Sequence, residues 1–427
     1  MKNTKTHTDT GILIPVIIIG SLFFIFGFIT WLNSILIPYL KIACELTGFQ
    51  SLLVAFVFYI SFTIMALPSA WVLKQTGLKN GMMVGLWIMA MGTLLFLPAA
   101  YTRTFWVFLA GLYVMGTGLA LLQTAANPYV TILGPRNGAA RRISIMGVCN
   151  KTAGAIAPLV LAYFILNDGN VLIESLQTLK GTTSYVAALD DLALRVVNPY
   201  LVMTIVLFGL GIIIRFSPLP DIKTGNDRED QDSFKKKGTI FDFPHLILGA
   251  VALFVYMGLE VIAGDTIIQY GLSHGMEIDQ AKGLPSYTMA AMIVGYLMSI
   301  LLIPKYVSQR TVLSACSFLG IFFSIGIIMT SGWTSVAFVA LLGFSNAIVW
   351  PAIWPLALHN LGNFTNQGAA ILIMAISGGA IIPLLWGQIS DSFGPQEAYW
   401  ILIPSHLIIA FYALKGYRVL SWKGVKN

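Results

Sequence analysis

Apolar runs of about 20 residues recur from one end of this chain to the other, and no other feature limits its fold so tightly. Of the 427 residues, 57% are hydrophobic and only 10% charged, with a mean hydropathy of +0.81. A soluble domain carries about 25% charge. Each run can cross the ~30 Å hydrocarbon core as a helix, where backbone N–H and C=O groups must be satisfied within the segment. The expected fold class is therefore an all-α polytopic membrane protein. Twelve spans are predicted, at residues 12–40, 50–73, 81–101, 105–133, 143–166, 198–217, 241–272, 284–303, 311–331, 334–359, 367–390 and 397–416.

The net charge of +7 does not point to nucleic acid, because the basic residues are spread among loops. With the N-terminus inside, the cytoplasmic tails and loops carry 19 Lys and Arg and the external loops five. This asymmetry predicts cytoplasmic N- and C-termini. Lys151 alone lies within a span. The mixed-charge stretch 221–237 cannot form a packed core and reads as a linker. It divides the chain into an N-terminal six-helix bundle (1–217), a cytoplasmic linker (218–240) and a C-terminal six-helix bundle (241–427). The external segment 168–198 leaves room for a short surface helix. Cys44, Cys149 and Cys316 are far apart, without ligand spacing, and read as inert buried thiols. The first run is too long for a signal-peptide core and is read as a retained span.

Within this frame residues 121–161 stand out. Two apolar segments flank a basic turn holding Arg136, Arg141 and Arg142, and they contain Gln123, Asn127, Asn150 and Lys151. Such groups are costly in hydrocarbon unless they face a cavity or a partner. At ~1.5 Å per residue, the amides and the ammonium fall at similar depth near mid-membrane, where transporters keep their sites. GAIAPL at 154–159 recurs as GAIIPL at 379–384, in the equivalent span of the second half. Two six-helix halves in parallel repetition are the signature of major-facilitator transporters.

Long motifs in both halves carry a more specific resemblance: FGFITWLNSILIPYLK (26–41), LLQTAANPYVTILG (121–134), GLEVIAG (258–264), GFSNAIVWPAIWPLALHNLG (343–362) and GGAIIPLLWGQISD (378–391). They resemble the fucose–proton symporter family, in its glucose/galactose branch. The resemblance implies an inner-membrane carrier of neutral monosaccharides, a glucose- or galactose-like hexose, with fucose and N-acetylhexosamines also within the class. It further implies a proton or sodium gradient as the driving force. The family's first-span motif carries an aspartate where this chain has Ser34, directly after Asn33. Fucose members place a glutamate where Gln123 stands, and Asn150 matches a sugar-holding asparagine.

A sugar hydroxyl both donates and accepts, so a sugar site needs amides together with aromatic faces for the C–H surfaces. Gln123 and Asn127, four apart, share one helix face. Asn150 faces them if the helices pair. In the second half Asn346 sits near mid-depth, with Trp350 four residues on and Trp354 one turn further. The alternative for each amide is a hydrogen bond that joins spans, and for the tryptophans simple packing. The substrate candidates are therefore Gln123, Asn127, Asn150, Asn346, Trp350 and Asn33.

Span 7 holds two acids. Glu260 is the first candidate for a coupling or sugar-contacting acid, and Asp265 is a further coupling candidate, although it is expected at the external rim, where solvation is cheap. Lys151 needs an acidic partner or water. It is read as a tethered cation standing in for a coupling ion, as a titrating group, or as half of a structural pair with Glu260. No P-loop, nucleophile–base pair or metal constellation occurs, so the chain is read as a transporter that is no enzyme and carries no cofactor beyond H+ or Na+. Its expected partners are a sugar and the bilayer, and its expected state a monomer. An uncoupled facilitator, an exporter of another polar solute and a non-transporting sugar sensor are the competing readings.

Overall fold

The computed structural model describes residues 10–132, 139–219, 239–303 and 306–422. The 221–237 stretch, Arg136 and the Arg141 side chain lie outside what is described. Among the described residues there is no strand, and twelve helical stretches are long and apolar enough to cross a membrane. They are Ile14–Ala43, Gly48–Ala66, Pro68–Thr102, Phe105–Asn127, Ile145–Ile165, Ser184–Phe216, Pro244–Asp265, Ile278–Leu302, Gln309–Met329, Gly332–Ala357, Gln367–Phe393 and Pro395–Arg418, numbered spans 1 to 12. The second opens on a capping box, in which Thr47 accepts from the Gln50 N–H and the Gln50 side chain accepts from the Thr47 N–H. Spans 2 and 3 form one helical run, Gly48–Leu94, kinked at Gly77, whose φ of 75° favours glycine. The expected loop at 74–81 is thus a single-residue break.

The repeat seen in the sequence is expressed in the packing. Span 1 lies on span 5, and its equivalent, span 7, lies on span 11. Both crossings are close backbone approaches: Gly27 sits against the Asn150 carbonyl and Gly378 against the Phe254 carbonyl. A side chain at either glycine would collide with backbone. The two bundles meet along span 2 with span 11 and span 5 with span 8, again an equivalent pair.

The even number of crossings puts both ends of the chain on one face, the terminal face. The segment between helices Ala139–Ile165 and Val197–Phe216 lies on the opposite face and forms two helices, Gly169–Leu179 and Thr183–Leu194, the second of which makes up the start of span 6 as numbered above. At its start Asp168 pairs with Arg195, whose guanidinium hydrogen bonds hold this carboxyl below its usual range. Polar contacts between the halves gather at this opposite face. The Phe49 N–H donates to Asp391 (2.8 Å), the Gln269 amide to Ser51 (2.9 Å), the Asn170 amide to Glu277 (2.6 Å) and Lys282 to the Leu166 carbonyl (3.0 Å). Spans 4 and 10 share no packed interface among the described residues. The halves are thus drawn together at the face away from the termini.

Candidate functional site

Three of the interrupted spans carry, at the interruption, residues singled out from the sequence. Span 1 breaks at Leu32, between helices Thr10–Trp31 and Asn33–Ala43. Ser34 spends its hydroxyl on the Trp31 carbonyl beside that break (2.7 Å). Span 7 breaks at Thr266, after helix Pro244–Asp265, and Thr266 back-bonds to the Ile262 carbonyl (2.7 Å). Span 10 breaks between helices Gly332–Asn346 and Val349–Ala357. The cause is Pro351, which has no N–H for the Ala347 carbonyl four residues back. The Pro351 carbonyl is itself taken by the Gln309 amide (2.7 Å). Discontinuous helices of this kind line the sites of membrane transporters.

Asn346, at the third break, is fully buried, and neither its amide nitrogen nor its oxygen has a protein partner. The reading of this residue as inter-span glue is therefore overturned. Asn33 is 1% exposed, with its amide nitrogen likewise unpartnered. Asn150 is half-buried and does join spans, donating to the Phe23 carbonyl over a long 3.3 Å. Gln123 and Asn127 are half-buried on the unbroken helix Phe105–Ile132, so they keep their shared face. Trp350 stacks on Trp354 with centroids 5.3 Å apart and 27° between planes, and both are half-buried. The break at 347–348 removes the simple helical relation of Trp350 to Asn346 that sequence spacing implies.

Lys151 and Glu260 form a hydrogen-bonded ion pair between span 5 of one half and span 7 of the other, 7% and 6% exposed. The Lys151 ammonium also lies 4.8 Å from the Trp31 ring centroid, within range of the ring's negative face. Trp31 is in turn gripped between Gly154 and Gly264, where any larger residue would collide with its indole. The buried side chains of Tyr256, Tyr59 and Tyr296 lie within electrostatic reach of Glu260. Spacing along the chain did not reveal this aromatic surround. One signal was available: Trp31 lies deep in span 1, away from the interfacial depth usual for tryptophan.

Asp265 departs most from expectation. It is 0% exposed rather than solvated at a rim, and no donor reaches either carboxylate oxygen. The reason is packing: Asp265 lies among the buried residues Val261, Ile262, Ala263, Ile267 and Ile268, and helix Ile267–Ser273 continues beyond it. Gln269, beyond the break, reaches Ser51 of the other half. Beyond the ring of inter-half contacts a vestibule of about 710 Å³ opens on the opposite face, lined by Lys41, Glu45, Gln177, Lys180 and Trp386 among others. It contains none of the expected sugar ligands. No cluster of three or more His, Cys, Asp or Glu suited to a metal occurs among the described residues.

The sequence pattern of the Major Facilitator Superfamily matches residues 19–382. The chain belongs to that superfamily. A glucose/galactose transporter of Brucella abortus biovar 1 (strain 9-941) is 35% identical over 97% of both chains. The L-fucose-proton symporter of Escherichia coli (strain K12) is 29% identical over 90% of this chain and 88% of its own. In three dimensions the chain resembles the superfamily transporter FucP in its outward conformation, with a TM-score of 0.73 and 27% identity over 94% of this chain and 98% of that one. A D-xylose-proton symporter, at TM-score 0.71 and 12% identity over 96% and 98%, shares the fold. The protein is a multi-pass membrane protein with two pseudo-symmetric six-helix bundles, and these relatives are transporters, not enzymes.

Proposed function

We propose that this chain takes up a neutral monosaccharide, a glucose- or galactose-like hexose, across the inner membrane by alternating access, driven by a cation gradient. Asn346 is the observation that carries the reading. A buried amide without a partner costs about 1–3 kcal/mol, and a sugar hydroxyl satisfies donor and acceptor together. Asn33 adds a second free donor, and Gln123, Asn127 and Asn150 supply the first half's share. The stacked Trp350 and Trp354 offer the apolar face that sugar C–H surfaces need. The names of the relatives point the same way, toward glucose and galactose ahead of fucose.

The positive-inside asymmetry assigns the terminal face to the cytoplasm. The sealed face is then periplasmic, and the conformation described is the one closed to the outside. The two moving bodies are 1–217 and 241–427, with 218–240 between them. Lys151 and Glu260 lie between these bodies at mid-depth, a pivot about which they rock.

A sugar panel tests the substrate. Ligand at 100-fold its Kd stabilises a folded protein by about 2.7 kcal/mol. D-glucose or D-galactose is expected to raise the thermal midpoint of the detergent-solubilised protein, L-fucose and N-acetylglucosamine less, and N346A is expected to lose the shift. A panel in which no hexose moves the midpoint contradicts the reading.

A further inference from the structure

Among the described residues three charged side chains are buried: Lys151, Glu260 and Asp265. Lys151 neutralises Glu260, so one negative charge remains, on a carboxyl that no protein donor reaches. The position of the resembling family's first-span aspartate holds Ser34 here, buried with its hydroxyl engaged, and Gln123 stands where fucose members carry a glutamate. We propose that the coupling acid of this chain is Asp265, at the break in span 7, and that it carries one proton per sugar, with Glu260 held out of the cycle by Lys151. The inference rests on the sugar-uptake reading and deepens it.

The physical case is one of charge balance. An ionised carboxylate without partners in a low-dielectric interior is far more expensive than a neutral acid. A second lysine would make the charge permanent, whereas a proton can arrive from one side and leave to the other. Glu260 from its own helix and Tyr59 from span 2 are the titratable groups whose charge Asp265 meets. The first is occupied by Lys151, and Lys151 is itself paired, so neither can neutralise Asp265. An alkali ion needs a shell of several oxygens, and of the residues flanking Asp265 on span 7, from Val261 to Ile268, only Thr266 has a side-chain oxygen, which is engaged with the Ile262 carbonyl and the Tyr399 hydroxyl. A proton needs one oxygen. Asp265 is the last residue of its helix, and the chain bends at Thr266.

The test uses the full chain in proteoliposomes with radiolabelled D-glucose and D-galactose and the membrane potential clamped at zero. One proton per sugar lets an inward gradient of about one pH unit sustain up to about tenfold accumulation. D265N is expected to keep exchange of labelled for unlabelled sugar at the wild-type level while its accumulation falls to about onefold. D265E restores accumulation, because it restores the acid. Four results each overturn the proposal: D265N accumulating like the wild type, loss of exchange in D265N protein with wild-type thermal stability, accumulation near a hundredfold per pH unit, or accumulation driven by a sodium gradient instead. A measurement without sugar separates this proposal from the substrate reading and serves if D265N folds poorly. In infrared difference spectra a carboxylic-acid C=O band is expected from the wild type and shifted in D265E. Its absence from the wild type overturns the proposal even if hexoses are transported, and its presence supports it even if they are not.

Discussion

At the scale of single residues, the contrast between Asn346 and Asn150 separates binding from building. No protein atom bonds the Asn346 amide, so N346A removes no internal hydrogen bond. We expect sugar affinity to fall about 10- to 100-fold, the equivalent of about 1.4–2.7 kcal/mol. The thermal midpoint without sugar should stay within the range of a small packing change. Isothermal titration and thermal unfolding on the same preparations check both halves. Asn150 joins span 5 to the Phe23 carbonyl, so N150A is expected to lower both. The ion pair behaves differently. Removing one member of a buried pair costs about 3–5 kcal/mol, because the other charge is stranded. K151A is expected to destabilise on that scale, and adding E260Q to recover much of the loss. A double-mutant cycle by thermal unfolding reads the coupling; additive losses would mean that the two side chains act independently.

At the scale of elements, span 10 shows how far sequence reading reaches. Its length and apolar character are local properties, so the span was legible, as were the other eleven. Its break was written in Pro351, yet the spacing of Asn346 and Trp350 was read as a continuous helix. Asp265 misled for a related reason: it lies near the end of the predicted span 241–272, and position along a span does not tell whether a side chain there meets solvent or neighbouring helices. The Lys151–Glu260 contact joins positions 109 apart in the chain. It was open to the sequence only as one of several readings, because no local pattern sets the register of one half against the other. P351A restores the missing N–H donor in span 10. Since an interior proline costs a helix about 3 kcal/mol, part of that is expected back as a raised thermal midpoint. Straightening the site should also weaken hexose binding. A variant that binds hexose as the parent does would show the break to be incidental.

At the scale of the whole molecule, two equivalent halves are held together at one face and, among the described residues, share one ion pair at mid-depth. The Asn170–Glu277 and Phe49–Asp391 links must part if the site is to open on that side. The Asn170 backbone N–H also donates to Asp279 (3.2 Å), so in a background lacking Cys44, Cys149 and Cys316 a cysteine pair introduced by N170C and D279C is expected to cross-link and stop sugar uptake. Reductant should restore it. Uptake that continues through the cross-link would rule out this face as a gate. The central claim, that these halves alternate around a sugar, is met most directly by counterflow. Proteoliposomes loaded with unlabelled D-galactose or D-glucose and diluted into the labelled sugar should show a transient overshoot of label with the parent protein, and none with N346A. No overshoot from the correctly folded parent with either hexose, or an equal overshoot from N346A, would contradict the account.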